Sequence, residues 1–185
     1  ALGEGDEIIV DIAKKVKEVR ESKASSWEDF LGKPAIYQGT RPEQLDDLPF
    51  PAWDLLEKDV DGYPLLEDYI NTPNWGGSAN NSSATPFTME RSLTTVSSRG
   101  CPFDCNFCWR GTQGQRCYGE RSADNLIKEA IWLRDQYRID FLGFPDDNFA
   151  VNKKRLAILA DRFPVEVDLR WGTHTRLDEA DKRLK

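Results

Sequence analysis

Three of the chain's four cysteines fall in the stretch Ser97-Ser98-Arg99-Gly100-Cys101-Pro102-Phe103-Asp104-Cys105-Asn106-Phe107-Cys108, spaced Cys-x3-Cys-x2-Cys. Thiolates are soft ligands suited to iron–sulfur clusters, zinc and copper, so a tight cysteine loop is first a question of metal. Three ligands on so short a loop can hold three corners of a four-iron cubane. The fourth iron then lacks a protein ligand and can take a substrate. Two other uses of clustered cysteines stand beside this one. A closed structural zinc site takes four ligands, commonly as two separated pairs, and the fourth would here be Cys117 or the lone His174. A disulfide framework is the other. Cys117, in Gly114-Gln115-Arg116-Cys117-Tyr118, lies outside the triad and reads as an ordinary thiol.

The elements around this loop follow a strand, loop, helix rhythm. A strand over 93–98 leads into the cysteines at its carboxyl end. Ser122 is placed to cap a helix over 123–137, where Leu126, Ile127, Ala130, Ile131, Leu133 and Tyr137 share one broad face. A second strand is expected over 139–144 and a second helix over 152–163 with Leu156, Ile158 and Leu159. A third strand is expected over 165–171, and a third helix begins at Leu177. Strands alternating with helices imply an α/β class with a parallel sheet and right-handed crossovers.

Upstream, Gly3-Glu4-Gly5-Asp6-Glu7 reads as a glycine turn with acidic residues. Ile8, Ile12, Val16 and Val19 then recur at helical spacing, with Lys14, Lys15 and Lys17 towards the end, as the helix macrodipole favours. The segment 34–39 has the composition of a short strand. Residues 41–56 contain Pro42, Pro49 and Pro51, which deny a continuous helix or central strand, while Phe50, Trp53, Leu55 and Leu56 offer anchors. An ordered connector packing on its neighbours is expected. Residues 71–84 are loop-like by composition, with Trp75 as a possible cavity contact.

Net charge is −7, and it is uneven: residues 1–100 carry ten Lys/Arg against eighteen Asp/Glu, residues 101–185 fifteen against fourteen. No basic stripe with interleaved aromatics appears, which argues against a nucleic-acid partner. No apolar run is long enough to span a membrane. The clustered cysteines suit a reducing cytoplasm. The chain starts without methionine and stops inside a helix-like pattern, so it is expected to be a piece of a longer protein.

Cys-x3-Cys-x2-Cys with an aromatic residue, Phe107, directly before the third cysteine resembles the radical S-adenosylmethionine superfamily. The resemblance implies a 4Fe-4S cluster on Cys101, Cys105 and Cys108, with Phe107 near the adenine of S-adenosylmethionine. One electron would cleave the sulfonium to methionine and a 5′-deoxyadenosyl radical. An electron donor such as a flavodoxin or ferredoxin is implied, and a small-molecule or peptide substrate. The three β/α units match the opening half of the family's partial (β/α) barrel. The Gly3, Glu4, Gly5 turn and its helix resemble the end of a cobalamin-binding Rossmann-like domain, with the turn at the edge of the cobalamin site. Leu48-Pro49-Phe50-Pro51-Ala52-Trp53 resembles the linker that follows such a domain. The implied organisation is a cobalamin-domain tail over 1–24, a linker and loop region over 25–90, and the first half of the radical domain over 91–185. Cobalamin-dependent methylation of an unactivated carbon is the implied reaction, with a radical enzyme that uses no cobalamin, or a zinc-stabilised binding module, as the alternatives, and the isolated piece is expected to have no turnover.

In parallel α/β folds the chemistry gathers at the carboxyl ends of strands. After the second strand comes Phe144-Pro145-Asp146-Asp147-Asn148-Phe149, where many members of that superfamily carry a Gly-Gly-Glu segment for the amino group of S-adenosylmethionine. Asp146 or Asp147 would hold an ammonium, a ribose hydroxyl or a helix N-terminus. The plainer reading makes Asp147 or Asn148 the cap of the next helix. After the third strand, Arg176 is placed like the family arginine and could pair with a carboxylate through its rigid fork. His174 could be a proton donor, a ligand or neither. Trp109, Arg110 and Gly111 would shape the cluster pocket, and Arg99 and Arg116 would tune its charge or simply be solvated.

Overall fold

The computed structural model describes residues 5–22, 39–59, 61–71, 89–108 and 118–179. The chain forms two compact units, Ala1–Glu43 and Gln44–Lys185.

In the first unit, α1 (Asp6–Glu21) follows the expected spacing. Ile8 is buried and Ile12, Val16 and Val19 are half-buried, while the lysines are exposed. Asp6 and Glu7 belong to the helix rather than to a preceding turn, and Gly5 is its N-cap. An acidic residue such as Asp6 in a first turn is favoured by the helix dipole. The strand expected over 34–39 lies outside the described residues except for Gly39, which is in no strand.

The second unit is built on a three-stranded sheet in the order β1 (Ser92–Thr94), β4 (Phe141–Phe144), β5 (Arg170–Thr173). Both pairings are parallel, Leu93 opposite Leu142 and Gly143 opposite Gly172. All four residues of the central strand are buried, as a strand covered on both faces requires. The fold is therefore α/β with a parallel sheet.

The first strand differs from expectation. It ends at Thr94, and the backbone turns at Ser97 before a second short strand, β2 (Ser98–Arg99), pairs antiparallel with β3 (Gly119–Glu120). Val96 is left 46% exposed at the break. Ser97 and Ser98 leave the sheet direction because their polar groups bond to Asp146, beyond the end of β4.

Helix α3 (Ala123–Tyr137) starts as expected. Ser122 Oγ accepts the N–H of Asn125 at 3.1 Å, and Leu126, Ile127, Ala130, Leu133 and Tyr137 are buried, with Ile131 packed beside them. Arg138 closes the helix at φ 53. Helix α4 (Lys153–Arg162) is capped by Asn152, which accepts the N–H groups of Lys154 and Arg155. Leu156 and Leu159 are buried, but Ile158 is 44% exposed, so the inward face is narrower than expected.

The third strand also begins later than expected. Residues Phe163–Val167 form a wide π-helical turn closed by the Asp168 N–H on the Phe163 carbonyl at 3.2 Å. Val165 is 81% exposed there, while Val167 is buried and its carbonyl accepts from Arg134. Phe163 lets the turn continue the helix by joining Phe144, Phe149 and Trp171 in one aromatic cluster, with centroids 5.2 to 6.4 Å apart. Burying a side chain of this size stabilises by roughly 1.5–3 kcal/mol. After β5 there is only a single 3-10 turn, Leu177–Glu179, before the described residues end.

The proline-rich connector is ordered, with 3-10 turns at Leu45–Asp47 and Trp53–Leu56. Leu45 is buried, Trp53 and Leu56 pack on the core, and Phe50 stacks on Trp132 of α3 at 5.9 Å. Leu55, expected as an anchor, is 75% exposed because the tight turn points it away from that core. Asp46 accepts the N–H of Ser122 at 2.8 Å, tying the connector to the start of α3. A further helix not foreseen in the connector region, α2 (Leu65–Asn71), buries Leu66 and Ile70. Arg91 joins it to the sheet, gripping Glu67 and the Tyr137 carbonyl. No helix among the described residues is long and apolar enough to cross a membrane.

Candidate metal centre at the cysteine loop

The cysteine loop leaves β2 at Gly100, whose φ of 77 is a conformation that side-chain-bearing residues rarely take. Cys101 and Cys105 are half-buried and Cys108 is exposed, and none of the three is in a disulfide. The Cys108 N–H bonds to the Cys105 carbonyl at 3.1 Å, so the x2 spacing is a tight turn with a cysteine at each end. Phe107, between them, is 92% exposed. Among the described residues no group of three His, Cys, Asp or Glu side chains is gathered around a common point. Three thiols on one loop nonetheless have the donor chemistry an iron–sulfur cluster takes. His174, the alternative fourth zinc ligand, is exposed at the end of β5, and Cys117 lies outside the described residues.

The root of the loop is fixed by two buried charged residues. Asp146, 3% exposed, accepts the N–H of Ser97 at 2.8 Å and the hydroxyls of Ser97 and Ser98, the latter at 2.8 Å. Arg155, 4% exposed, donates to the carbonyls of Ser97, Arg121 and Phe149 at 2.9, 3.2 and 2.9 Å. It also lies 3.4 Å from Glu120 and over the Phe149 ring. Ser97 is thus held through its N–H, hydroxyl and carbonyl by residues 49 and 58 positions downstream.

The expected cofactor residues after β4 divide sharply. Asp146 faces the serines, while Asp147 is exposed. The capping alternative for Asp147 or Asn148 does not hold, because Asn152 caps α4. Asn148 is fully buried instead, accepting from the Thr175 hydroxyl at 2.9 Å and donating to Glu179 at 2.8 Å. The segment is bonded to the end of β5 a second time through the Phe149 N–H and the His174 carbonyl.

Arg176 projects from the end of β5 onto the cysteine loop. Its Nη1 donates to Cys105 Sγ at 3.4 Å, its Cζ stands 4.3 Å from the Phe103 centroid, and it forks onto Asp178. The Asp178 carboxylate raises the guanidinium's hold on its proton, with Cys105 adding to the effect, and Asp178 is itself held below its ordinary range by Arg176. Just before β3, burial first and then the Glu120 carboxylate push the Tyr118 phenol well above its ordinary value.

Arg99, in β2, lines a cavity of about 330 Å³ between the connector and the end of β1, with Leu45, Pro49, Trp53, Thr95 and Arg121 among its walls. Arg121 is paired there with the fully buried Glu129 at 2.6 Å. Of the turn assigned to cobalamin only Gly5 is described, and a side chain there would meet nothing within 4 Å. Gly3, Glu4, Trp75, Trp109, Arg110, Gly111 and Arg116 lie outside the described residues. Sequence reasoning passed over Arg155 and gave Asn148 only a capping role. The doublet Ser97-Ser98 before the cysteines was the available sign that the loop root is tied by hydrogen bonds, but nothing local named its partners.

No family model matches the chain, and no solved structure does. The chain is similar to a protein of Pyrococcus horikoshii described as an uncharacterized methyltransferase, at 27% identity over 98% of this chain and 35% of that protein. It is also similar to cytidylyl-2-hydroxyethylphosphonate methyltransferase of Streptomyces wedmorensis, at 29% identity over 70% of this chain and 21% of that enzyme. The chain therefore spans well under half the length of the curated relatives it matches.

Proposed function

We propose that this chain is the cluster-bearing part of a methyl-transferring radical S-adenosylmethionine enzyme, and that the whole protein also uses cobalamin. The observation that carries the reading is three cysteines at x3 and x2 spacing, none of them in a disulfide, on one loop beyond the carboxyl end of β1, in a parallel α/β sheet. Similarity to two proteins named as methyltransferases supports the transfer chemistry.

In this reading Cys101, Cys105 and Cys108 hold a 4Fe-4S cluster. With S-adenosylmethionine on its open iron, such a cluster supplies reductive cleavage of the sulfonium. The chain's own residues do the positioning. Asp146 and Arg155 hold Ser97 and so fix the segment entering the loop. Phe107, exposed beside Cys108, is free to cover an adenine, and Arg176 and Asp147 stand at the strand ends facing the same loop or solvent. The 1–24 segment is proposed as the tail of a cobalamin domain, with Gly3, Glu4 and Gly5 at the cofactor's edge. Residues 25–90 are the linker region and 91–185 the first half of the radical barrel. A cytoplasmic setting and a flavodoxin- or ferredoxin-class electron donor complete the proposal.

The test is anaerobic reconstitution of the chain with iron and sulfide, followed by metal analysis and electron paramagnetic resonance of the reduced form with and without S-adenosylmethionine. The expected result is a four-iron signal that changes on adding S-adenosylmethionine and is lost in Cys101→Ala. Tight zinc binding with no cluster would overturn the proposal.

A further inference from the structure

Arg176 is held from two sides, by a carboxylate and by an aromatic ring. Asp178 grips the Nε and Nη2 edge of the guanidinium at 3.0 and 2.6 Å, and the Phe103 ring lies against the group at 4.3 Å. Two edges of motion are thereby closed, and the remaining Nη1 donates to Cys105 Sγ at 3.4 Å. Phe103 and Cys105 belong to the same loop, so the arginine is docked onto the very segment whose sulfurs are the metal donors.

We infer that Arg176 is a tuning residue for the iron–sulfur centre, acting on the cluster through Cys105. This inference rests on the reading of Cys101, Cys105 and Cys108 as cluster ligands. Hydrogen bonds to ligand sulfurs and nearby charge are the levers by which a protein sets a cluster potential. Reduction adds one electron to the cluster, delivered by the flavodoxin- or ferredoxin-class donor, with no bond made and no proton moved. Nη1 faces the Cys105 sulfur while Asp178 is bonded to Nε and Nη2, so charge added to a cluster held by that sulfur would meet the guanidinium before Asp178. The pair therefore turns its positive end to the cluster, stabilises the reduced form and raises the potential. Asp178 opposes part of this effect while fixing the geometry that produces it.

Two substitutions should move the potential in opposite directions. Arg176→Gln removes the positive end and lowers it; Asp178→Asn removes the opposing charge and raises it. Arg176→Lys keeps the charge without the fork and falls between wild type and Arg176→Gln. The experiment is a redox titration of the reconstituted chain, monitored by electron paramagnetic resonance, with iron counted in every sample. Equal iron content with the potential order Asp178→Asn above wild type above Arg176→Gln is the expected result. Unmoved potentials with loss of the S-adenosylmethionine-dependent signal change in Arg176→Gln alone would make the arginine a ligand of that molecule and overturn the inference. Equal loss of iron in all three variants would reduce Arg176 to a loop prop and overturn it as well. A wild-type chain that takes up no cluster would remove the cluster reading itself, and the inference with it.

Discussion

Replacing Asp146 by alanine should unfasten the root of the cysteine loop. Its carboxylate accepts from the Ser97 N–H and from the Ser97 and Ser98 hydroxyls, and all three residues are at most 3% exposed. A hydrogen bond to a charged group contributes roughly 1.5–3 kcal/mol, and a buried donor left without an acceptor costs about 1–3 kcal/mol. The three losses do not add, because the two hydroxyls can rotate, whereas the Ser97 N–H cannot. A destabilisation of about 3–5 kcal/mol follows, a large share of the roughly 5–15 kcal/mol that holds an ordinary domain. Asp146→Asn keeps an acceptor for the N–H and should cost about 1–2 kcal/mol. The assay is urea unfolding followed by circular dichroism, with hydrogen exchange of residues 97–108 in the metal-free chain. Ser98→Ala added to Asp146→Ala should cost little more, since its partner has already gone. A cost under about 1 kcal/mol for Asp146→Ala, with unchanged exchange in the loop, would refute the reasoning.

Other substitutions test the scaffold. Ser122→Ala should cost about 1 kcal/mol and lower Tm by roughly 2–4 °C, with Ser122→Asp restoring most of it, as read by thermal unfolding. Arg138 sits at φ 53 in the closing position of α3, so Arg138→Gly should raise stability by about 0.5–1 kcal/mol in the same measurement; a loss would show that its side chain holds something there. The hydrogen bond from Arg91 holds the Glu67 carboxyl below its ordinary value. A value depressed in the folded state means that the stabilisation is present above the unfolded value and is lost as pH falls through the folded one. Glu67 is half-exposed, so Glu67→Gln should cost only about 0.2–1 kcal/mol at pH 7, and that difference should close in acid unfolding curves.

What could be seen in the sequence was whatever a short window contains. The Ser122 cap and the apolar face of α3 are local, and both stand as expected. Ile8, Ile12, Val16 and Val19 mark the inward side of α1 for the same reason. The first strand was read too long because Ser97 and Ser98 look compatible with a strand until Asp146 and Arg155 arrive from far downstream. The third strand was read too early because Val165 and Val167 alternate like a strand, whereas Phe163 and the Arg134 bond to the Val167 carbonyl keep the backbone helical. At the site, cysteine spacing is a local signal and was legible. The orientation of Asp146 was not, since neighbouring Asp146 and Asp147 differ only in which way the chain turns after β4.

The sheet has one more consequence. Among the described residues only β4 has neighbours on both sides, and β5 pairs with β4 alone. Wherever no further strand covers it, the outer edge of β5 would offer a short row of backbone donors and acceptors to a passing strand, the geometry from which edge-to-edge association grows. Arg170 is the one charged residue in Arg170-Trp171-Gly172-Thr173, and it is exposed. It would then act as gatekeeper of that edge, and Arg170→Val should turn a concentrated solution of this chain towards self-association.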